Sequence, residues 1–187
     1  IKHFDSNPTV TAFQIENEPL LNFGICPAPD KDFFLTEMML VRGLTKKPLI
    51  VTDSGELRSW IDPMKYSDIF GTTLYRKVHD RFWGDLYYPL PPWHYRVKSE
   101  LIRKLFAPDN RKTVVAELQA ELWAAAPLET IPLEAQLDRF SLNQLMETTK
   151  YAKRTGFDEF YLWGGEWWYY LRDRGHPEYL EYAKGLF

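Results

Sequence analysis

The sequence predicts an α/β fold with a parallel sheet, because short apolar segments alternate five times with segments of helical periodicity. The apolar segments are nearly continuous, which is typical of strands that are buried on both faces. Consecutive parallel strands need right-handed crossovers, and the helical segments supply them. The strands are predicted to begin near Val10, Pro48, Asp68, Thr113 and Phe157. Since 187 residues are enough for one packed core, we expect a single domain over residues 1–187.

Sequence signals mark the ends of the predicted strands and helices. The first strand, 10–18, is stopped by Pro19, because proline cannot donate a ladder hydrogen bond. The helix predicted over 31–42 is followed by Gly43, which is suited to a C-terminal cap. A later helix begins at Ser141, which forms a capping box with Gln144, and extends to about residue 154. The other predicted elements are a helical turn over 56–61, helices over 93–106 and 177–184, and long loops over 76–92 and 119–140.

Composition and charge exclude several functional classes. The net charge is −3, so the chain lacks the basic surface that nucleic-acid binding requires. No apolar segment approaches the ~20 residues of a membrane-spanning helix. The single cysteine, Cys26, excludes an internal disulfide. The four histidines show no metal-ligand spacing, and we expect neither a metal nor a cofactor.

Aromatic residues are unusually abundant, at 16% of the chain, with seven Trp, eleven Tyr and twelve Phe. The apolar faces of sugars stack on such rings, and Trp and Tyr add a polar group. A large core with interfaces is the alternative explanation. The segment 76–92 is rich in these residues and is too long for a passive connection, so we expect it to carry function.

Two of the predicted strands end in a glutamate. Glu18 closes the first strand within Asn17-Glu18-Pro19, and Glu117 closes the fourth strand, 112–117. Because α/β folds build their sites at the carboxyl ends of parallel strands, we expect both carboxylates at one edge of the sheet. Such a pair can combine general acid/base chemistry with nucleophilic attack. A capping or ion-pairing role is the alternative for each residue.

At these residues the chain resembles clan A of the glycoside hydrolases, retaining (β/α)8-barrel enzymes that include many cellulases. The strand ending in Asn17-Glu18-Pro19 is similar to the fourth strand of that clan, and the strand ending in Glu117 is similar to the seventh. The resemblance implies that Glu18 is the general acid/base and that Glu117 is the nucleophile. It also implies that Asn17 binds the sugar hydroxyl beside the cleaved bond. Clan members often have Gly two residues after the nucleophile, where this chain has Gln119.

The resemblance extends to the sixth and eighth strands of the clan. The segment 68–75 is similar to the sixth strand, which implies that Tyr75 hydrogen-bonds the nucleophile and keeps it ionised. Trp163 matches the eighth-strand Trp that forms the floor of the sugar site in the clan. Core packing is the alternative role for Tyr75 and Trp163. Glu121 is the competing nucleophile, or it faces a sugar subsite or pairs with a basic group. Gly164 and Gly165 are predicted to form a turn after the strand that ends at Trp163. Glu166, Trp167 and Trp168 follow the turn, and Glu166 is predicted to bind sugar hydroxyls among these indoles or to belong to a surface patch.

These similarities predict a partial (β/α)8 TIM barrel, in which about five βα units correspond to strands four to eight. Five strands cannot close a barrel of eight, so we expect the first three strands and the true N-terminus to lie outside this sequence. The alternative is a complete five-stranded open sheet. The sequence indicates neither a cellular location nor an oligomeric state.

The predicted activity is retaining hydrolysis of β-glycosidic bonds in an oligo- or polysaccharide, by a double displacement that uses Glu18 and Glu117. We expect this chain alone to be inactive. One alternative is a non-catalytic carbohydrate-binding domain on the same scaffold. Another is a barrel enzyme whose acidic residues bind a metal.

Overall fold

The computed structural model describes residues 1–23, 27–80, 82–108, 112–124 and 126–187, and Cys26 lies outside these ranges. Five strands form a parallel sheet that curls like half of a barrel, in the order β1-β2-β3-β6-β7. The prediction of five parallel strands is therefore confirmed. The strands are β1 (Phe13–Gln14), β2 (Leu49–Asp53), β3 (Ile69–Leu74), β4 (Lys77–Asp80), β5 (Gly84–Tyr87), β6 (Lys112–Gln119) and β7 (Phe160–Trp163).

Helices connect the parallel strands, and most of them lie where the sequence predicts. The capping box at the start of α5 is formed, because Ser141 and Gln144 exchange both side-chain-to-backbone hydrogen bonds. The predicted turn over 56–61 is wrong. The helix begins at Ile61 instead, with Pro63 in its first turn, where a missing N–H costs nothing. The helices are α1 (Lys31–Arg42), α2 (Ile61–Tyr66), α3 (Pro92–Phe106), α4 (Leu133–Arg139), α5 (Leu142–Lys153), α6 (Gly165–Arg172) and α7 (Glu178–Lys184).

The first strand is shorter than predicted. Only Phe13 and Gln14 form the strand at the edge of the sheet, where the sequence predicts a strand over 10–18. Beyond it, Glu16 and Glu18 adopt positive φ angles of 56° and 48°. Left-handed backbone cannot continue a strand, so the chain turns before it reaches Pro19.

The two long predicted loops contain regular structure. The segment after β3 forms an antiparallel hairpin of β4 and β5, with Lys77 paired to Tyr87 and Asp80 to Gly84. The segment after β6 contains a 3₁₀ turn, Leu128–Thr130, and then α4. The pattern of apolar residues did not reveal these elements. The strands and helices in the two segments are short, and most of the hairpin is solvent-accessible.

The region after β7 also differs from the prediction. Gly164 makes the predicted turn at φ 149°, but Gly165 already begins α6. Trp167 and Trp168 are buried, at 2% and 8% exposure, so they belong to the core between the C-terminal helices and not to a cleft or surface patch. Among the described residues, no helix is both long and apolar enough to cross a membrane.

Gln136 joins the elements that follow β6 through a fully buried side chain. Its amide nitrogen donates to the carbonyl oxygens of Leu128 and Ile131, both at 2.8 Å. Its amide oxygen accepts a hydrogen bond from the indole nitrogen of Trp167, also at 2.8 Å. One side chain therefore provides partners for two carbonyl groups at the 3₁₀ turn and its C-terminal end, and for the buried indole N–H of α6.

We predict that Gln136→Leu lowers the free energy of unfolding by about 2–4 kcal/mol, because the buried indole N–H of Trp167 and the carbonyl oxygens of Leu128 and Ile131 lose their partner. Urea unfolding measures the change. Asp138→Ala, on the exposed side of the same helix, is the control and should change stability by less than about 0.5 kcal/mol. Equal effects of the two substitutions would contradict this role of Gln136.

Candidate active site

A cavity of about 330 Å³ lies beside the carboxyl ends of β2, β3 and β6, and Glu18 and Glu117 both line it. The sheet order places two strands between β1 and β6, and the curl of the sheet brings their ends to one space. The β3–β6 register shifts by one residue between Thr72 and Thr73, which leaves an extra residue in β6 just before Glu117. Such bulges re-aim the side chains that follow them.

Threonine hydroxyls of β2 and β3 hold Glu18 in place. The backbone N–H of Glu18 donates to Thr52 Oγ1 at 2.8 Å, which fixes the left-handed turn. Thr73 Oγ1 donates to Glu18 Oε1 at 3.3 Å. Burial and the neighbouring Glu117 raise the pKa of Glu18 to about 7, and the bond from Thr73 only partly opposes this. A substantial fraction of Glu18 is therefore protonated near neutral pH, where an ordinary glutamate is ionised.

Tyr75 fixes the second carboxylate. Its hydroxyl donates to Glu117 Oε2 at 2.9 Å, and its ring packs edge-on against Trp123 with centroids 4.9 Å apart. Tyr75 is 7% exposed. Burial, and then the charge of Glu117, raise the pKa of Tyr75 well above its usual range, so its hydroxyl remains a donor.

Asn17 lies beside the cavity and not in its lining. Its side chain is exposed, and its amide oxygen accepts hydrogen bonds from Thr52 Oγ1 at 3.1 Å and from Gln14 Nε2 at 3.2 Å. The structure thus brings Asn17 to the same threonine that holds the Glu18 backbone.

Glu121, Trp163 and Glu166 form a separate group beyond the end of β6, outside the lining of the cavity. Burial raises the pKa of Glu121, a hydrogen bond from Trp163 opposes this shift, and the charge of Glu166 adds to it. Trp163 is 52% exposed, and Glu166 is exposed in the first turn of α6. Glu117, and not Glu121, shares the cavity with Glu18.

The β4–β5 hairpin forms one wall of the cavity, which the sequence did not reveal. Gln119 of β6 fixes the hairpin. Its buried amide oxygen accepts from the backbone N–H groups of Arg76 and Lys77, at 2.9 and 3.0 Å. Its amide nitrogen donates to the Lys77 carbonyl oxygen at 2.6 Å. Asp85 also ties β5 to α4 by an ion pair with Arg139 at 2.8 Å.

Glu56 and Trp123 are among the other lining residues that the sequence did not identify as site residues. Glu56 follows β2 closely, and an acid just beyond a strand end was the available signal. Trp123 lies in a segment without helical or strand periodicity. The only sequence signal for it was its position six residues after Glu117. Within the described ranges, no group of three or more His, Cys, Asp or Glu side chains could hold a metal ion.

We predict that Glu18→Gln stabilises the fold at high pH. The folded state holds the Glu18 proton up to about pH 7, above the ordinary value of 4.5, so this residue costs stability as pH rises through that window. The gain in melting temperature should be largest above pH 7 and should vanish below about pH 4.5. Glu134→Gln, exposed on α4, is the control. A gain that does not depend on pH would contradict the prediction.

No protein-family model matches this chain, and no curated protein matches it. The site therefore rests on its own geometry: two carboxylates line one cavity, and a tyrosine hydroxyl donates a hydrogen bond to the second.

Proposed function

We propose that this chain is the C-terminal part of a (β/α)8 barrel of the clan A glycoside hydrolases, and that it cleaves β-glycosidic bonds with retention of configuration. The curled parallel sheet is compatible with such a barrel. The observation that carries the proposal is the unequal pair in the cavity. Glu18 has a pKa raised to about 7 by burial, while Glu117 accepts a hydrogen bond from Tyr75.

The two environments suit two chemical roles. In the first step, protonated Glu18 would give its proton to the glycosidic oxygen, while Glu117 attacks the anomeric carbon. The carbon–oxygen bond breaks, the leaving sugar departs as an alcohol, and a glycosyl ester forms on Glu117. In the second step, Glu18 takes a proton from water, whose oxygen attacks the anomeric carbon and releases Glu117. Two displacements at one carbon retain its configuration.

The unequal pair suits this cycle near neutral pH. A general acid must carry a proton before the first step, which the raised pKa of Glu18 provides. A nucleophile must be ionised and aimed, and the hydrogen bond from Tyr75 holds one oxygen of Glu117. Each role thus follows from the neighbours of that carboxylate.

Aromatic side chains on the hairpin favour a chain-like saccharide as the substrate. Phe82 and Trp83 are 77% and 80% exposed at the tip, while Leu86 and Tyr88 line the cavity. Exposed aromatic rings beside a cavity can stack on sugar units that extend out of it. This arrangement supports endo-acting cleavage of an oligo- or polysaccharide.

The decisive test uses a protein in which this chain is joined to the other strands of the proposed barrel. We predict that Glu117→Gln lowers turnover by on the order of 10⁴-fold or more, since an amide cannot form the glycosyl ester. Glu18→Ala should slow sugar leaving groups by about 10²–10⁴-fold and activated aryl glycosides much less, because these depart without protonation. Added azide should restore part of the rate.

Glu134→Gln is the matched control, since it makes the same chemical change on an exposed face of α4. If Glu18→Ala slows aryl and sugar leaving groups equally and azide has no effect, Glu18 is not the acid/base. If saccharide binding is measurable and no variant or wild-type protein shows turnover, the non-catalytic carbohydrate-binding alternative holds.

We also predict that Trp83→Ala weakens oligosaccharide binding by about 1 kcal/mol, because one stacking contact is lost. Isothermal titration measures the binding. Phe33→Ala removes a comparably exposed ring, at 63% exposure on α1, and should leave the affinity unchanged. Unchanged binding with a lowered melting temperature in Trp83→Ala would assign this ring to packing.

A further inference from the structure

The segment that follows β2 crosses the end of β3 at very short range. Gly55 lies so close to Thr73 that a Cβ atom on it would be 2.1 Å from the Thr73 carbonyl oxygen. Its backbone N–H donates to Thr73 Oγ1 at 3.1 Å. Only a residue without a side chain fits here. The crossing brings the next residue, Glu56, within hydrogen-bond distance of the first residue after β3.

Glu56 binds the backbone of Tyr75, whereas Glu117 binds the hydroxyl of the same residue. Tyr75 is the first residue beyond β3, so its N–H needs a partner outside the ladder. Glu56 Oε1 accepts this N–H at 3.1 Å and the hydroxyl of Tyr95 at 2.6 Å. Since the Tyr75 hydroxyl in turn donates to Glu117 Oε2 at 2.9 Å, a continuous series of contacts joins Glu56 to Glu117.

Several charged and titratable groups surround this series. Lys98 Nζ, on α3, donates to the carbonyl oxygens of Gly55 and Arg58, and lies 4.0 Å from the Trp60 ring centroid. Asp53 pairs with Arg58 at 3.7 Å. Burial raises the pKa of Glu56 to about 7, and Tyr95, the Tyr75 N–H and Lys98 oppose this shift. The charge of Glu56 contributes to raising the pKa of two neighbouring tyrosines, Tyr88 and Tyr151.

We propose that Glu56 is a positioning residue of this site, which fixes the backbone of Tyr75 and thereby keeps the Tyr75 hydroxyl on Glu117. This inference rests on the proposed function for its kinetic consequence only. Glu56 also lines the cavity and adds its charge to those of Glu117 and Asp53 around Glu18.

Two substitutions separate the two contributions of Glu56. Glu56→Gln keeps an oxygen acceptor for Tyr75 and removes the charge. We expect kcat within about threefold of wild type, and a basic limb of kcat/KM that moves to lower pH, because Glu18 loses a neighbouring negative charge. Glu56→Leu also removes the acceptor. We expect kcat to fall by about 10–100-fold with KM little changed, since a small displacement of an aligned group costs this much.

A double-mutant cycle shows whether Glu56 acts through Tyr75. Under the proposal, Glu56→Leu/Tyr75→Phe is no slower than Tyr75→Phe alone, because both changes break one series of contacts. Ser99→Ala is the control for lost stability. Ser99 is buried on α3, the helix that carries Tyr95, and its hydroxyl makes a 2.7 Å hydrogen bond with that of Thr113 on β6. Its loss should lower the melting temperature and leave kcat unchanged.

Losses that multiply in the double variant, or a Glu56→Leu variant that melts earlier with unchanged kcat, would overturn the proposal. Should Leu prevent folding, Glu56→Asp replaces it, and its shorter side chain should lower kcat while it keeps the charge.

Crystal structures of the variants supply a readout that needs no turnover. The distance from Tyr75 Oη to Glu117 should lengthen in Glu56→Leu and stay near 2.9 Å in Ser99→Ala. A wild-type protein without glycosidase activity would refute the proposed function, and this distance would still decide the role of Glu56.

Discussion

The hydrogen bond from the Tyr75 hydroxyl to Glu117 is the contact on which the candidate site depends. It spans neighbouring strands at their carboxyl ends, where the β3–β6 ladder has just shifted register. Without the extra residue in β6, strand alternation would turn the glutamate to the other face of the sheet. The bulge aims the carboxylate and the tyrosine holds it, so local backbone irregularity and one buried hydroxyl together define the chemistry that the cavity can support.

The sequence predicted the parallel sheet well, because buried strands and amphipathic helices have strong and different periodicities. Helix α1 has the predicted bounds, and the capping box of α5 is formed as expected. The failures have physical causes. The first strand ends early because two glutamates adopt left-handed backbone, for which their sequence has no signal. The helix α6 was missed because Trp167 and Trp168 follow two glycines in a segment with no obvious polar face.

The site was predictable only where it lies at strand ends. Glu18, Glu117 and Tyr75 meet because parallel strands bring their carboxyl ends to one edge. The contribution of Glu56 was not predictable, since it depends on how closely Gly55 passes over Thr73. The same holds for Asn17, whose position beside the cavity follows from a turn and a threonine hydroxyl of a neighbouring strand. Contacts of this kind depend on tertiary structure, and they leave no periodic pattern of residues in the sequence from which they could be predicted.

The amide of Gln119 has a mechanical consequence for the cavity. A fully buried side chain that bonds three backbone groups at the base of the hairpin works as a clamp, and the Asp85–Arg139 ion pair braces the far strand against α4. Lifting the hairpin would break several of these contacts at once and would leave the amide oxygen of Gln119 without its two N–H donors in the protein interior. The wall is therefore held at both of its strands, and we expect it to keep its position whether or not the cavity is occupied.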